Sequence, residues 1–285
     1  MKTAKTITEV RNAVSTAKKS GKSVGFVPTM GALHKGHASL IEAAKTHTDF
    51  VVVSIFVNPT QFGPNEDFNK YPRPIENDLQ ICEENGVDLV FLPQTTELYP
   101  SENITWVNVE HLSEPLCGQF RPGHFRGVAT VCAKLFNIVL PDFAFFGQKD
   151  AQQAIIITKM VKDLNMPLKI VICPTIREPD GLAMSSRNRR LLPEHRANAG
   201  RIFSTLKTAS EMARQQEVAT IRNFVISEID KIPGFRTEYF EIVDSITLAP
   251  LKSRKQVTPQ GNYFGCIALF AGEVRLIDNM EFRLL

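Results

Sequence analysis

The chain has 285 residues, of which 43% are hydrophobic and 22% charged, and its formal net charge at pH 7 is +3. This length suffices for one large or two medium domains, and the composition excludes the disordered and fibrous classes. The small net charge disfavours general attraction to nucleic acid or to a membrane surface.

The five cysteines are scattered along the chain, and no two have Cys-x-x-Cys spacing. This pattern argues against a disulfide framework and a zinc knuckle, and it predicts reduced, mostly buried thiols. The N-terminus has lysines without an apolar signal core, and no stretch approaches the ~20 apolar residues of a membrane span. We therefore expect a cytoplasmic protein without a membrane segment.

The first part of the chain alternates between strand and helix patterns. Thr8 is expected to cap a first helix that ends at Gly21. A buried strand is predicted over 23–27, and a helix over 38–47 because its apolar residues recur at helical spacing. Residues 50–57 are continuously apolar and rich in branched side chains, which is typical of a parallel strand buried on both faces.

The alternation continues to about residue 173 and implies βαβ units in a parallel sheet. A polar loop from Asn58 to Pro74 is expected to face the crevice at the strand ends. The further predicted helices are 75–85, one ending near Leu140, and 151–164; the further strands are 87–92, 104–109 as an edge strand, 143–146 and 168–173.

Beyond residue 176 the pattern changes to helices at 194–215 and 218–232, a strand at 237–243, and a terminal hairpin of 263–270 with 274–277. The predicted fold class is α/β. We expect a Rossmann-like parallel-sheet N-terminal domain over residues 1–176 and a smaller α+β C-terminal domain over residues 177–285.

The segment Phe26–His37 joins the first apolar strand to its helix. At the carboxyl end of a parallel strand, unpaired N–H groups at the start of a helix attract anions, and a phosphate is the natural ligand. Gly31 and Gly36 allow close approach to the main chain. His34 and His37 share one face of the first turn and can donate to phosphate oxygens.

Two other interpretations of the histidine pair are open. The side chains are either plain surface histidines or half of a zinc site. The zinc interpretation lacks a third ligand, and the spacing is three residues rather than the four of His-Glu-x-x-His.

Three further segments at strand ends or at the domain junction carry polar side chains. Gln61 lies in the polar loop, and Lys149 lies at a second helix start, where its ammonium group can pair with phosphate and Gln153 can point the same way. Residues 184–187 read either as a basic interdomain loop or as a mobile flap that contacts a triphosphate.

A glycine-rich loop over 117–127 is either solvated or in contact with a ligand.

Together the segments at the strand ends and at the domain junction favour a nucleoside triphosphate site. A hydride-transfer Rossmann site is disfavoured because no Gly-x-Gly-x-x-Gly follows the first strand, and a P-loop is excluded because its motif does not occur.

The segment Thr29–His37 resembles the HxGH signature of the class I aminoacyl-tRNA synthetase and nucleotidyltransferase superfamily, and Met184–Arg187 resembles its KMSKS-type loop. With Phe56–Phe62, Tyr71–Arg73 and Gly147–Asp150 in this order, nearly the whole chain resembles the pantothenate synthetase (pantoate–β-alanine ligase) family. The ordered set of motifs is far more specific than any one of them.

The resemblance implies an ATP-dependent condensation of (R)-pantoate with β-alanine through a pantoyl adenylate, with release of AMP and pyrophosphate. It implies His37 as the proton donor, with His34 and Lys149 as further catalytic residues. The implied ATP-binding residues are Met30, Gly31, Ala32, Leu33, His34, Lys35, Gly36, His37, Gly147, Gln148, Lys149, Asp150, Ile176 (through its backbone to adenine), Met184, Ser185, Ser186 and Arg187.

The resemblance also implies the remaining ligands and the assembly. Gln61 and Gln153 would hold pantoate, with Gln61 near β-alanine as well. Mg²⁺ would bridge phosphate oxygens, with no protein ligand assigned to it. The C-terminal domain would form a lid, the chain a homodimer, and nucleic acid would not be a partner.

The chain departs from the family pattern at Lys35 and Gln148, where members often carry Glu. Both changes reduce negative charge near the nucleotide and leave the roles of these side chains open. Asp78 is either an outer metal partner or, as we expect instead, a residue on the surface of its helix.

Two alternatives stand beside the ligase. One is a nucleotidyltransferase that stops at the nucleotidyl product. The other is an RNA-binding module that uses Arg121, Arg126 and residues 187–190 and binds with a steep salt dependence.

Overall fold

The structure is a computed structural model that describes residues 1–64 and 66–284. Asn65, which falls within the predicted polar loop, and Leu285 lie outside the described residues. The strands are β1 Lys2–Ala4, β2 Val24–Thr29, β3 Phe50–Ile55, β4 Leu89–Phe91, β5 Phe143–Gly147, β6 Lys169–Cys173, β7 Phe235–Asp244, β8 Tyr263–Ala271 and β9 Val274–Phe282. The helices are α1 Ile7–Lys19, α2 Lys35–His47, α3 Ile75–Glu84, α4 Thr95–Leu98, α5 Cys117–Phe120, α6 His124–Val139, α7 Ala151–Asp163, α8 Pro193–Asn198, α9 Arg201–Met212 and α10 Val218–Asp230.

The chain divides into two compact units. The first unit comprises Met1–Ser113, Arg121–Gly147 and Ile156–Pro174, and the second comprises Glu114–Phe120, Gln148–Ile155 and the chain from Thr175 onward.

The first unit is built on a six-stranded sheet in the order β1-β4-β3-β2-β5-β6. All of its strand pairs are parallel, as predicted. Its core contains Val27, Val51, Val53 and Phe145, which are 0% exposed because the central strands are covered on both faces. The strand order reverses between β2 and β5, so the switch point of this sheet lies beside β2.

The second unit contains a three-stranded antiparallel sheet in the order β7-β8-β9. The predicted terminal hairpin is confirmed and is longer than expected, with Tyr263 paired to Phe282 and Ala271 to Val274. Alternate strand residues such as Ile267 and Leu269 join α9 and α10 in one core. The predicted α/β class with a smaller α+β part is confirmed.

Three local predictions are wrong, and one strand was not predicted. Thr6, rather than Thr8, caps α1, because its hydroxyl accepts from Glu9 N and the Glu9 carboxylate accepts from Thr6 N. Lys2–Ala4 forms the unpredicted β1, paired with β4. Residues 104–109, all of which the structure describes, form no strand. The predicted helix 194–215 is two helices, α8 and α9, separated at Ala199–Gly200.

The predictions for β1 and for the break between α8 and α9 failed for a common reason. A three-residue strand such as β1 is stabilised by its pairing with a strand far along the chain, in the register Lys2 with Leu89, and leaves almost no local pattern. The break between α8 and α9 is tertiary in origin, since a Cβ at Gly200 would lie 2.6 Å from the carbonyl oxygen of Asp180.

Candidate active site

The turn after β2 begins at the switch point of the first sheet. β2 pairs with β5 at Gly25 and Phe26 and with β3 along its length to Thr29. Because neighbouring strands separate at a switch point, a crevice opens at their carboxyl ends. Thr29 closes the strand, its hydroxyl donating to Ser54 O at 2.8 Å and accepting from Gly31 N at 3.1 Å.

The next residues of the turn have left-handed backbones. Gly31 has φ +83° and Ala32 has φ +51°. This arrangement points the amides of Ala32 and Leu33 at one carboxylate, Asp78 of α3. Ala32 N donates to Asp78 Oδ2 at 2.8 Å and Leu33 N to Oδ1 at 2.7 Å. The turn is therefore held by a side chain 45 residues away in the sequence.

The prediction that Asp78 lies on the helix surface is wrong, because the residue is 0% exposed. Both of its oxygens accept amide hydrogen bonds, so the outer-metal-partner alternative is also disfavoured. A buried carboxylate needs such donors to offset its lost hydration. The sequence around Asp78 gives no sign of this role, because its partners are main-chain groups in a distant turn.

The two histidines of the signature form the N-terminal cap of α2. His34 is the N-cap, with its Nδ1 accepting from Gly36 N at 3.1 Å, and His37 Nδ1 accepts from His34 N at 3.3 Å. The ring centroids are 4.2 Å apart. A nitrogen that accepts from an N–H carries no proton, so the neutral rings bear hydrogen on Nε2.

This cap modifies the expected anion site. We expected unpaired backbone N–H groups at the start of α2, but Gly36 N donates to the His34 ring and His37 N donates to His34 O at 2.8 Å. The first backbone N–H groups of α2 are thus used within the cap itself. Lys35, beside them, is exposed, and His34 and His37 are half-buried.

Gln61 is brought to the same turn. It ends a 3₁₀ turn after β3, is 8% exposed, and donates from Nε2 to Met30 Sδ at 3.0 Å. Its Oε1 accepts from Asn58 Nδ2 at 3.2 Å. Met30 and Gln61, predicted separately from two strand ends, are therefore in contact.

Asn58 organises the Gln61 turn and was missed from the sequence. It is 1% exposed, and its Oδ1 accepts from Tyr99 OH at 2.9 Å while Nδ2 also donates to Gly127 O at 3.3 Å. Burial raises the pKa of Tyr99, so its hydroxyl stays protonated and donates. The signal available was Asn58-Pro59 directly after a buried strand, which is typical of a capped turn.

The start of α6 completes this side of the first unit. His124 Nδ1 lies 2.8 Å from Gln61 O, and Arg121 Nη1 lies 3.0 Å from His124 Nε2. Arg121 also pairs with Glu66 through two hydrogen bonds, of 2.9 and 2.5 Å. A Cβ at Gly127 would lie 2.3 Å from Thr60 O, so α6 packs directly on the main chain of the Gln61 turn.

The arginines of the predicted RNA-binding alternative have other partners. Arg121 is paired with Glu66, and the Arg126 guanidinium lies over the Trp106 ring at 4.6 Å from its centroid. These contacts stabilise the start of α6 and occupy two of the positive groups, Arg121 and Arg126, that this alternative requires.

In the second unit, a 3₁₀ turn over Gln148–Asp150 leads into α7. The Lys149 side chain is 18% exposed, and its Nζ lies 3.8 Å from Asp150 Oδ2. Gln153 is half-buried one turn into α7. Gly147, the last residue of β5, belongs to the first unit, and a Cβ there would lie more than 4 Å from the surrounding atoms of the described residues.

The other predicted segment of the second unit follows a narrow hairpin. Arg177 pairs with Ala183 in an antiparallel bridge, and Met184 N donates to Ile176 O at 3.0 Å. Ser185 caps a 3₁₀ helix over Ser186–Arg190 by accepting from Arg187 N at 3.3 Å. The structure thus places Ile176 and Met184 on adjoining backbones, with residues 185–187 in the helix start that follows.

All five cysteines are buried, as predicted. Burial and the nearby Asp78 carboxylate raise the pKa of Cys82 to about 12. Within residues 1–64 and 66–284, no group of three His, Cys, Asp or Glu side chains is arranged to hold a metal ion. None of the helices described there has the length and apolar character needed to span a bilayer.

Comparison with known proteins places these features in a family. The profile of the family described as pantoate-beta-alanine ligase matches residues 2–281. The pantothenate synthetase of Moorella thermoacetica is 50% identical over 282 residues, which cover 98% of each chain. The chain belongs to the pantoate–β-alanine ligase family.

Solved structures agree with this family assignment. The pantothenate synthetase of Thermus thermophilus matches with a TM-score of 0.91 and 44% identity over 99% of this chain and 100% of that chain. The pantoate–β-alanine ligase of Francisella tularensis, solved in complex with "Beta-gamma ATP and Beta-alanine", matches with a TM-score of 0.79 and 36% identity over 99% and 97%. The predicted family, fold class and activity, an ATP-dependent condensation of pantoate with β-alanine, are confirmed.

Proposed function

We propose that this pantoate–β-alanine ligase uses the His34–His37 cap and the Met30–Gln61 contact as the centre of its active site. In the first step a pantoate carboxylate oxygen attacks the α-phosphorus of ATP and pyrophosphate leaves. In the second step the β-alanine amine attacks the acyl carbon of the adenylate, AMP leaves, and the amine loses a proton. The observation that carries the proposal is the His34–His37 cap at the start of α2, which follows in the same turn as the Met30–Gln61 contact.

The histidines supply charge stabilisation in this scheme. His34 and His37 donate from Nε2 to phosphate oxygens, and His37 is the proton donor to the leaving pyrophosphate. Donors already held by a cap need little reorganisation when negative charge develops in the transition state. Met30–Leu33 and Gly36 contact the nucleotide through the main chain of the same turn, and Lys35 lies beside it.

Gln61 holds pantoate and lies near β-alanine. Its Nε2–H donates to the thioether of Met30, which is a weak acceptor. Replacing that contact with a hydrogen bond to a hydroxyl or carboxylate oxygen of pantoate is therefore favourable. Asn58 Nδ2 continues to donate to Gln61 Oε1, at 3.2 Å. Gln153 is the second proposed pantoate contact.

Residues of the second unit are proposed to bind the rest of the nucleotide. Lys149 pairs with phosphate, because a hydrogen bond between an ammonium group and a phosphate oxygen is strengthened by the opposite charges. Gly147 at the end of β5, with Gln148 and Asp150, completes the nucleotide set around it. Ile176 contacts adenine through its backbone, and Met184–Arg187 close on the triphosphate. With the boundary at residue 176, residues 177–285 act as a lid, a role supported by the family resemblance.

Mg²⁺ is proposed as the counter-ion of the triphosphate. Mg²⁺ usually keeps several waters and binds substrate phosphates with one or two carboxylates, so it needs no cage of protein ligands. No step here depends on a protein-held metal. We further propose a cytoplasmic homodimer whose partners are small-molecule substrates rather than nucleic acid.

Isotope exchange between pyrophosphate and ATP tests the proposal. With Mg²⁺ present and β-alanine withheld, exchange should require pantoate, because only the adenylation step returns pyrophosphate to ATP. If exchange occurs without pantoate, or if AMP forms without an amine, the scheme is wrong. The amine requirement also separates the ligase from a nucleotidyltransferase that stops at the nucleotidyl product.

A further inference from the structure

Two neighbouring residues of β9 are hydrogen-bonded to the Gln148–Lys149 turn and to Arg177, in the hairpin that precedes Met184–Arg187. We name Asp278 and Asn279 the β9 clamp. They are 4% and 6% exposed, and β9 is an edge strand of its sheet. Because successive residues of a strand point to opposite faces, one short stretch of β9 reaches segments on both faces of the sheet.

Asn279 holds the turn that carries Lys149. Its Nδ2 donates to the carbonyl oxygens of Gln148 and Lys149, both at 2.9 Å, and its Oδ1 accepts from Gln148 Nε2 at 3.4 Å. Both amide protons are therefore used on consecutive carbonyls of one turn. A carboxylate of the same shape has no proton for either carbonyl and would repel both of them.

Asp278 holds the hairpin that leads into Met184–Arg187. It pairs with both terminal nitrogens of Arg177, at 2.6 and 3.0 Å. Arg177 also donates to Gly181 O at 3.0 Å, and its guanidinium lies over the Phe203 ring at 4.0 Å from the centroid. Such a planar, bidentate pair fixes direction as well as distance.

The two halves of the clamp are joined to each other. Asn279 N donates to Asp278 Oδ1 at 2.8 Å, so the carboxylate that orients Arg177 also orients the main chain that carries Asn279. The turn that carries Lys149 and the hairpin that carries Arg177 are therefore connected through the hydrogen bonds of these two residues.

We propose that Asp278 and Asn279 are positioning residues for adenylation, setting the direction of Lys149 relative to Met184–Arg187. This inference deepens the proposed function and rests on it. Both side chains are buried and hydrogen-bonded to protein groups, so the clamp acts through the turn and the hairpin. Misplacement of a reacting group by about 1 Å can cost about 10²-fold in rate.

A double-mutant cycle between Asn279→Asp and Lys149→Ala tests the Asn279 half. We expect Asn279→Asp to lower the maximal rate of pyrophosphate exchange about 10²-fold. If Asn279 acts through Lys149, the double variant should be no slower than Lys149→Ala alone. Multiplication of the two effects would overturn the inference, because it would mean that Asn279 acts independently of Lys149.

Arg177→Lys tests the Asp278 half of the clamp. It also keeps the proposal testable if Asn279→Asp does not fold. It keeps the charge but loses the bidentate pair, so KM for ATP should rise several-fold in the intact chain. In a cycle with Arg187→Ala, this rise should vanish. An unchanged KM, or a rise that persists in the double variant, would contradict the proposal.

Met280→Leu is the matched control. Met280 is the next residue of β9, packs on the hydrophobic core of the second unit, and is replaced by a side chain of similar volume. Its kinetics should stay within about twofold of the parent. If the parent chain itself shows no pantoate-dependent exchange, the proposed function fails; if the parent exchanges and the cycles are additive, the positioning inference alone fails.

Discussion

The turn over residues 29–37 and the turn over residues 148–150 are held in opposite ways. In the first, N–H groups donate to the Asp78 carboxylate and to the rings of His34 and His37. In the second, carbonyl groups accept from the Asn279 amide. In the proposed site the histidines both cap the helix and bind the ligand, whereas Lys149 binds the ligand while Asn279 holds the backbone. In this proposal the same side chains hold the backbone and bind the ligand in the first turn, whereas different side chains do so in the second.

The largest expected effect is on the adenylation rate, and it is tested with one residue from each turn. His37→Ala and Lys149→Ala should each lower the adenylation rate about 10²-fold or more, the scale of losing one charge-stabilising donor. His37→Ala should also lower the free energy of unfolding by about 1 kcal/mol, because the cap loses an acceptor. Pyrophosphate exchange and urea unfolding measure the two quantities.

Surface substitutions on the same helices provide the controls for that pair. Glu42→Ala on α2 and Lys159→Ala on α7 change exposed side chains and should leave the rate within about twofold. Near-normal turnover of His37→Ala or Lys149→Ala would remove the proposed role of that residue. Equal loss of stability in both variants would contradict the distinction between the turns.

Removal of the carboxylate that holds the first turn should have a large effect on stability. Asp78→Ala leaves the amides of Ala32 and Leu33 without their acceptor and should cost about 3 kcal/mol. Asp78→Asn keeps one acceptor oxygen and should cost about half as much. Urea unfolding monitored by circular dichroism checks both. A stable Asp78→Ala with normal activity would show that the turn does not depend on this carboxylate.

Helix α6 gives a steric test of the first unit. A Cβ at Gly127 would lie 2.3 Å from Thr60 O and 2.8 Å from Gln61 Cα, and backbone atoms cannot rotate away. Gly127→Ala should therefore destabilise the chain by about 1–3 kcal/mol and raise KM for pantoate through Gln61. Gly63→Ala is the control, because its nearest atom would be 3.6 Å away. Equal KM values for pantoate in the two variants would show that the packing of α6 does not affect pantoate binding.

The smallest expected effect concerns the buried thiols and alkaline pH. Burial raises the pKa of Cys132 to about 12, and burial with the nearby Asp78 carboxylate raises that of Cys82 to about 12, from a reference of 9.0. The folded state keeps these protons over a range where the unfolded state loses them. Stability from these groups should thus fall as pH rises from about 9 to 12.

Labelling with a thiol reagent at pH 8 measures the same burial without alkaline unfolding. The native chain should react far more slowly than the urea-unfolded chain, in which five cysteines become accessible. Mass spectrometry of partly labelled protein compares Cys82 of the first unit with Cys266 of the second. Rapid labelling of Cys82 in the native state would mean that α3, and with it Asp78, opens readily.

Sequence patterns predicted the long elements well, for identifiable reasons. The run Phe50–Ile55 reads as a buried parallel strand because covering on both faces requires continuous branched apolar residues. The hairpin of β8 and β9 follows from two strand-like runs around a short turn containing Gly272. Two of the failures, β1 and the break between α8 and α9, fell on features that depend on distant contacts.

What the sequence by itself determined is the family, the alternating α/β order and the identity of the signature residues, because ordered motifs and local periodicity are properties of the chain. The tertiary structure decided how those residues are held: Asp78 beneath the first turn, Asn58 behind Gln61, and Asn279 behind Lys149. Each of these is a buried polar side chain with partners far away in the sequence. A buried polar group must find hydrogen-bond partners wherever the fold brings them, and no local pattern records that choice.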